Sequence, residues 1–293
     1  MYGAVDLLPE DISRLVDRAL PQWKRYFNEG QLMDSLDPES PVVAEPPVMP
    51  GPRVWKFWGT TFWGFIVFIG MLVGQFAVVI WFLLRQDEPI NWGTFGDAVT
   101  TIVSNGLTMS LSVVTGLPAV LAVLWVAIRI KRAGFADYLA LRSFSWANLA
   151  IGVVALFVLV MGWDALSRLT GREVEPGFMG DVLKTARADN ALWLLVIAFC
   201  VAAPITEELF ARGFLYRGWS ESFLRVPGAI ILSSLLWTGM HLQYNWYFLG
   251  EVFSIGVLLG YLRHRSNSTW LTIILHGLNN LGAVVQTILL TSS

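Results

Sequence analysis

Three short stretches in the last hundred residues hold side chains that an apolar helix has no ordinary use for. They are Glu207-Glu208-x-x-x-Arg212, Trp237-x-x-x-His241 and His276-x-x-x-Asn280. An ionisable side chain in hydrocarbon costs at least about 2.5–3.5 kcal/mol, so each of these needs a reason. Glu207, His241, His276 and Asn280 supply one carboxylate, two imidazoles and one carboxamide. Such a set can take a proton from water and hold a developing oxyanion. The same carboxylate and imidazoles also form a three-ligand set for a catalytic zinc with an open fourth position. Intramembrane Glu and His are equally a mark of proton-coupled transport or ion binding.

The elements that must position these residues follow from spacing. Around Glu207 the chain stays apolar to Leu215, so the helix does not end at the glutamates, and Glu207 lies about 15 Å above Arg217 at 1.5 Å per residue. Neighbouring helical positions point about 100° apart, so Glu207 and Glu208 cannot share one pocket. Glu208 and Arg212, at i and i+4, can pair; Glu207 is left without a local partner. The plain alternative is that both glutamates serve inter-helix salt bridges. Trp237 with His241, and His276 with Asn280, likewise share helix faces, and Gly277 and Gly282 allow close backbone approach. A lone histidine on an apolar face is ordinarily a hydrogen-bonded core residue; two on neighbouring helices beside a carboxylate are not lone.

The rest of the sequence sets the medium. Of 293 residues 55% are hydrophobic and 14% charged, against roughly 25% charged in soluble domains. The net charge of −2 offers no basic stripe, so nucleic acid is excluded as a partner. The single Cys200 permits no intrachain disulfide. Apolar stretches long enough to cross about 30 Å of hydrocarbon occur at 60–84, 107–128, 146–166, 191–216, 227–243, 246–262 and 269–290. The expected fold is therefore an all-α polytopic membrane protein with about seven transmembrane helices around an intramembrane catalytic cavity; 227–262 also reads as a re-entrant hairpin. Trp63, Trp81, Trp125, Trp146, Trp163, Trp193, Trp246 and Trp270 fall near helix ends, as interfacial rings do, whereas Trp237 does not. With the N-terminus inside, fifteen Lys and Arg lie on inner segments and five (Arg85, Arg168, Arg172, Lys184, Arg187) on outer ones, which predicts N-in and C-out. Gly70–Gly74 and Gly256–Gly260 read as close helix packing. His276 and Glu207 sit nearer the inner helix ends, so the site is expected to open on the cytoplasmic side.

Residues 1–59 read as a cytoplasmic region. Leu8, Ile12, Leu15, Val16, Ala19, Leu20, Trp23 and Phe27 recur at helical spacing, and six prolines between Asp37 and Pro52 give an extended linker. The first long apolar run begins too late for a cleaved secretory signal, so this region is expected to be retained. Residues 60–189 form the N-terminal transmembrane helices and 190–293 the catalytic core.

The three motifs, in this order and each in an apolar helix, resemble those of the CPBP family, which joins type II CAAX prenyl endopeptidases to bacterial Abi-type and bacteriocin-processing proteases. The likeness covers roughly residues 190–290, with Trp237 standing where the family usually has Phe. It implies an intramembrane endopeptidase in which Glu207, helped by His241, takes a proton from the attacking water, while His276 and Asn280 stabilise the oxyanion. Arg212 would act through Glu208, orienting the helix end. Members of this family have often been labelled metalloproteases; here zinc on Glu207, His241 and His276 is the competing form, with no cofactor favoured. No His-Glu-x-x-His run is present, and no further carboxylate that could orient the histidines stands out. The implied partners are the bilayer and a membrane-associated peptide or protein, lipidated if the host prenylates its proteins. The implied location is the plasma membrane of a bacterium or the endoplasmic reticulum of a eukaryote. A non-catalytic membrane protein and a proton-coupled transporter are the other readings. Glu251 fits neither motif and reads as structural or snorkelling.

Overall fold

The computed structural model describes residues 53–85, 93, 95–172 and 177–292. The amphipathic segment and the proline linker expected before residue 53 lie outside the described residues. Those described are helical, with no strand among them. In chain order the helices are α1 (Phe57–Leu83), α2 (Phe95–Val103), α3 (Gly106–Ile130), α4 (Phe135–Tyr138), α5 (Trp146–Leu169) and α6 (Gly177–Ala188). They continue with α7 (Leu192–Ser220), α8 (Arg225–Gly239), α9 (Trp246–Ser266) and α10 (Thr269–Ser292).

Local chemistry sets several of the boundaries. Asn105, Ser145 and Asn245 stand before α3, α5 and α9, and each side-chain oxygen accepts a backbone N–H from the first turn, satisfying donors a helix start leaves unpaired. At the other end of α9, Asn267 takes a left-handed backbone (φ 49°) after the cationic last turn Arg263-His264-Arg265, as suits the negative end of a helix dipole.

Helices α1, α3, α5, α7 and α10 are each long and apolar enough to cross a bilayer. The other two of the seven expected spans are helical but differ in kind. Helix α8 has 15 residues, about 22 Å of rise and less than the hydrocarbon thickness, and α9 is less apolar, carrying Glu251 and Arg263. The fold is thus a polytopic helical membrane protein in which α8 is too short to cross the hydrocarbon as a straight helix. Trp58, Trp81, Trp125, Trp146, Trp193, Trp246 and Trp270 are exposed, as for rings at a lipid interface, whereas Trp237 is 3% exposed.

Helix α7 is the axis of the bundle. More than half of its apolar stretch is buried, against a third or less for the other four long helices. Val67 and Met71 of α1, Val120, Leu124 and Ile128 of α3, and Phe210, Phe214 and Leu215 of α7 form one core cluster. Trp237, Ile255, Leu259, Leu271 and Leu275 form a second on its other side. The two GxxxG spacings serve these contacts. A Cβ on Gly74 would stand 2.8 Å from the Thr115 carbonyl oxygen of α3, and one on Gly260 2.9 Å from Ile230 of α8. At one end of the bundle Trp55 Nε1 donates to Ala127 O, Thr269 N to Ala140 O and Ser268 Oγ to Arg142 O. The start of α1, the α3–α5 connection and the α9–α10 turn therefore meet there. These are the Lys- and Arg-rich segments of the charge count.

Candidate active site

Helix α7 is not a uniform α-helix. It widens into π-helical turns at Ala198–Ala202 and again at Leu209–Leu215, flanking Ala203–Glu208. Pro204 has no N–H to give Cys200 O, so this carbonyl lacks its usual helical partner. Helix α10 closes onto the loosened turn. Asn280 Nδ2 donates to Phe199 O at 2.8 Å, and a Cβ on Gly277 would stand 2.6 Å from Cys200 O. Gly277 thus does permit close approach, whereas Gly282 has open space beside it. This docking presents His276 to the two glutamates.

Glu207 and Glu208 point apart, as adjacent helical positions must. The Glu208 and Arg212 side chains have no exposed surface, and Glu208 Oε1 accepts from Arg212 Nη1 at 2.7 Å and from His276 Nδ1 at 3.1 Å. Arg212 Nη2 donates to Gly256 O at 3.0 Å, tying α7 to α9, and the guanidinium lies 4.6 Å from the centre of the Trp237 ring. Arg212 is therefore a hub between three helices, which goes beyond orienting a helix end. The carboxylate that orients a histidine, which no spacing in the sequence revealed, is Glu208.

Glu207 faces the other way, 17% exposed at its side chain. Its Oε2 accepts from Trp237 Nε1 at 2.6 Å and lies 3.9 Å from Nε2 of both His241 and His276. Those separations exceed a direct hydrogen bond, and a water bonded to both partners would sit to one side of the line joining them. His241 does not lie inside a helix as expected: α8 ends at Gly239, and His241 sits in the following turn. Its Nδ1 faces Trp237 O at 2.9 Å. A carbonyl only accepts, so Nδ1 carries a proton, and Nε2 is the ring nitrogen left facing Glu207. Asn280, one turn beyond His276, spends an amide N–H on Phe199 O, and its second remains to donate elsewhere.

Glu207 lines a cavity of 330 Å³ together with Phe68, Met71, Leu72 and Gln75 of α1, Val113 of α3, Thr206, Gly239 at the end of α8, and Met240, Leu242 and Gln243 of the α8–α9 turn. The first spans, which looked free of chemistry, thus supply one wall. Gln75 was the available signal, a lone carboxamide in an apolar run. The cavity reaches from Glu207 to Met240, Leu242 and Gln243 of the α8–α9 turn, which the short α8 brings beside Glu207.

The donor set suits zinc chemically, and both imidazoles have their Nδ1 atoms engaged, as metal-bound histidines do. The separations do not fit. Two of them are 3.9 Å, wider than the roughly 3.3 Å between neighbouring ligands of a tetrahedral zinc, and among the described residues no three His, Cys, Asp or Glu side chains are arranged to hold a metal ion.

Comparison with known proteins places the same segment. Over 170 residues the chain is 29% identical to the UPF0177 protein YbdI of Lactococcus lactis subsp. lactis, an alignment spanning 56% of this chain and 87% of that protein. It is 26% identical over 152 residues to the UPF0177 protein YajF of the same organism, spanning 50% of this chain and 69% of that protein. It is 29% identical over 127 residues to an uncharacterized 24.3 kDa protein of Escherichia coli, spanning 42% of this chain and 57% of that protein. No solved structure matches. Residues 189–282, which contain Glu207, Glu208, Arg212, Trp237, His241, His276 and Asn280, match the family model for type II CAAX prenyl endopeptidase Rce1-like proteins, within a multi-pass membrane protein.

Proposed function

We propose that the protein is an intramembrane endopeptidase that cleaves a membrane-associated peptide or protein with water activated by Glu207 and His241. The observation that carries this reading is the meeting of one carboxylate oxygen with two imidazole Nε2 atoms, each 3.9 Å away, at the wall of a 330 Å³ cavity. A water in that gap donates one hydrogen to Glu207 Oε2 and another to Nε2 of His241. As its oxygen attacks the scissile carbonyl, Glu207 takes the proton, and the Glu207–His241 pair returns it to the leaving amine. His276 takes the oxyanion side. Glu208 against its Nδ1 turns Nε2 toward the site, where a protonated Nε2 would donate to the oxyanion, and Asn280 contributes its remaining amide hydrogen. Excluding bulk water from such a site strengthens each of these interactions.

The cavity wall supports a peptide in extended form: apolar side chains from α1, α3 and the α8–α9 turn offer pockets, and the carboxamides of Gln75 and Gln243 offer partners for a peptide backbone. The supporting roles fall to Glu208 and Arg212. The proposed topology is N-terminus inside, on the charge count, with residues 60–189 as N-terminal transmembrane helices and 190–293 as the catalytic core. The test is comparison of host membranes carrying wild-type protein or Glu207→Gln. A membrane-associated peptide that accumulates uncleaved with the variant, and that purified wild-type protein cleaves in detergent, supports the proposal; identical peptide profiles together with an inactive purified protein refute it.

A further inference from the structure

Trp237 stands where the resembled family usually has phenylalanine, and nearly all of its surface is in contact. Arg212 lies over the ring at 4.6 Å, and the imidazoles of His241 and His276 meet it edge-on, with centroids 4.8 and 5.3 Å away. A phenylalanine could make most of those contacts. It could not make the hydrogen bond from the indole Nε1 to Glu207 Oε2 at 2.6 Å. That same oxygen is the one poised 3.9 Å from each histidine. A glutamate side chain has three rotatable bonds, so an unpinned Glu207 would sample positions far from this balance point, with a loss of pre-organisation. A cation over an indole face also draws on its π electrons and leaves the N–H more positive, which strengthens the bond to the carboxylate.

We infer that Trp237 is a positioning residue, whose indole N–H, strengthened by Arg212 above the ring, pins the Glu207 carboxylate between His241 and His276. The catalytic side of this inference rests on Glu207 acting as the general base. The buried Glu208–Arg212 pair thereby holds both halves of the site. Glu208 fixes His276 directly and, through Arg212 and Trp237, fixes Glu207.

The test is Trp237→Phe, which keeps an aromatic ring and removes the donor. Turnover is expected to fall about 10–100-fold, the range for losing one hydrogen bond to an ion, with KM unchanged because the ring does not line the cavity. A second readout needs no activity. With indole nitrogens labelled with ¹⁵N, the resonance missing in Trp237→Phe identifies Trp237 among the fourteen tryptophans. In wild type it lies downfield, as for a short bond to an anion, and it moves upfield in Glu207→Gln. Should Trp237→Phe fail to fold, the wild type and Glu207→Gln are compared alone, and one downfield indole resonance must move. Wild-type turnover in Trp237→Phe while Glu207→Gln is inactive would overturn the positioning role and leave Glu207 as the base. No downfield indole resonance responding to Glu207→Gln would overturn the hydrogen bond itself, whatever the activity. Full activity in Glu207→Gln would instead refute the general-base reading, with the indole resonance still deciding whether the bond exists.

Discussion

Substitution of Gly277 by alanine should damage the site without touching any residue of it. The new Cβ would stand 2.6 Å from the backbone oxygen of Cys200, where a carbon–oxygen contact needs about 3.3 Å. Neither atom belongs to a flexible side chain, so α10 must retreat from α7 by roughly 0.7 Å. His276 and Asn280 flank Gly277 on that helix and would be carried with it, and the Asn280–Phe199 bond of 2.8 Å would stretch beyond its useful length. A misplacement near 1 Å in a catalytic constellation can cost about 10²-fold, so kcat/KM should fall about 10–100-fold. Overpacking of this kind costs about 1–3 kcal/mol of stability, read as a lower unfolding temperature in detergent. Gly282→Ala is the internal control. Nothing lies within 4 Å of its would-be Cβ, and alanine is better than glycine in a helix by about 1 kcal/mol, so activity should hold and stability should not fall. Wild-type cleavage by Gly277→Ala would refute the claim that the π-helical turn of α7 docks α10 to place His276. Equal damage from both variants would refute the site-specific cause.

Three further outcomes follow from the geometry. Glu207→Gln keeps size and hydrogen-bonding capacity while removing basicity, so turnover should drop by about 10²–10⁴ with unfolding unchanged; turnover near wild type would remove Glu207 from the chemistry. Glu208→Gln leaves the fully buried Arg212 charge without its counterion, so it should cost about 3–5 kcal/mol of stability and also reduce turnover through His276; an unfolding temperature equal to wild type would contradict the ion-pair account. For topology, single cysteines replacing Glu175 and Phe135 in a Cys200→Ser background should be labelled from outside intact cells at 175 and not at 135; the reverse pattern would overturn the N-in orientation.

The sequence was most informative where burial makes polarity costly. Glu207, His241 and His276 stand out because hydrocarbon penalises them, and the structure brings them together; Glu208 and Arg212 pair as their spacing predicted. What stayed hidden depends on relations between helices that no single-helix period reports. Trp237 was visible as a tryptophan away from the helix ends, but its donor role needs α8 to turn its indole toward α7. Glu208 was assigned to Arg212 alone, because its second partner, His276, lies 68 positions along the chain. The π-helical turns were not foreseen; Pro204, whose missing N–H interrupts the helical ladder, is the sequence signal beside the first of them. The place of His241 was mistaken because its apolar surroundings continue past Gly239 although the helix does not. Of the wall provided by α1 and α3, only Gln75 carried a signal, since lining a cavity otherwise takes ordinary apolar side chains.

The central claim is water activation by Glu207 and His241 with no metal in the path, and the most direct measurement is cleavage by the purified protein before and after exhaustive chelation, with bound metal counted. The 3.9 Å separations and the Trp237 hydrogen bond that already occupies Glu207 Oε2 predict that turnover persists after chelation and that metal content is far below one equivalent. Activity that disappears on chelation and returns with one equivalent of zinc would contradict this account and make Glu207, His241 and His276 the ligands of that ion.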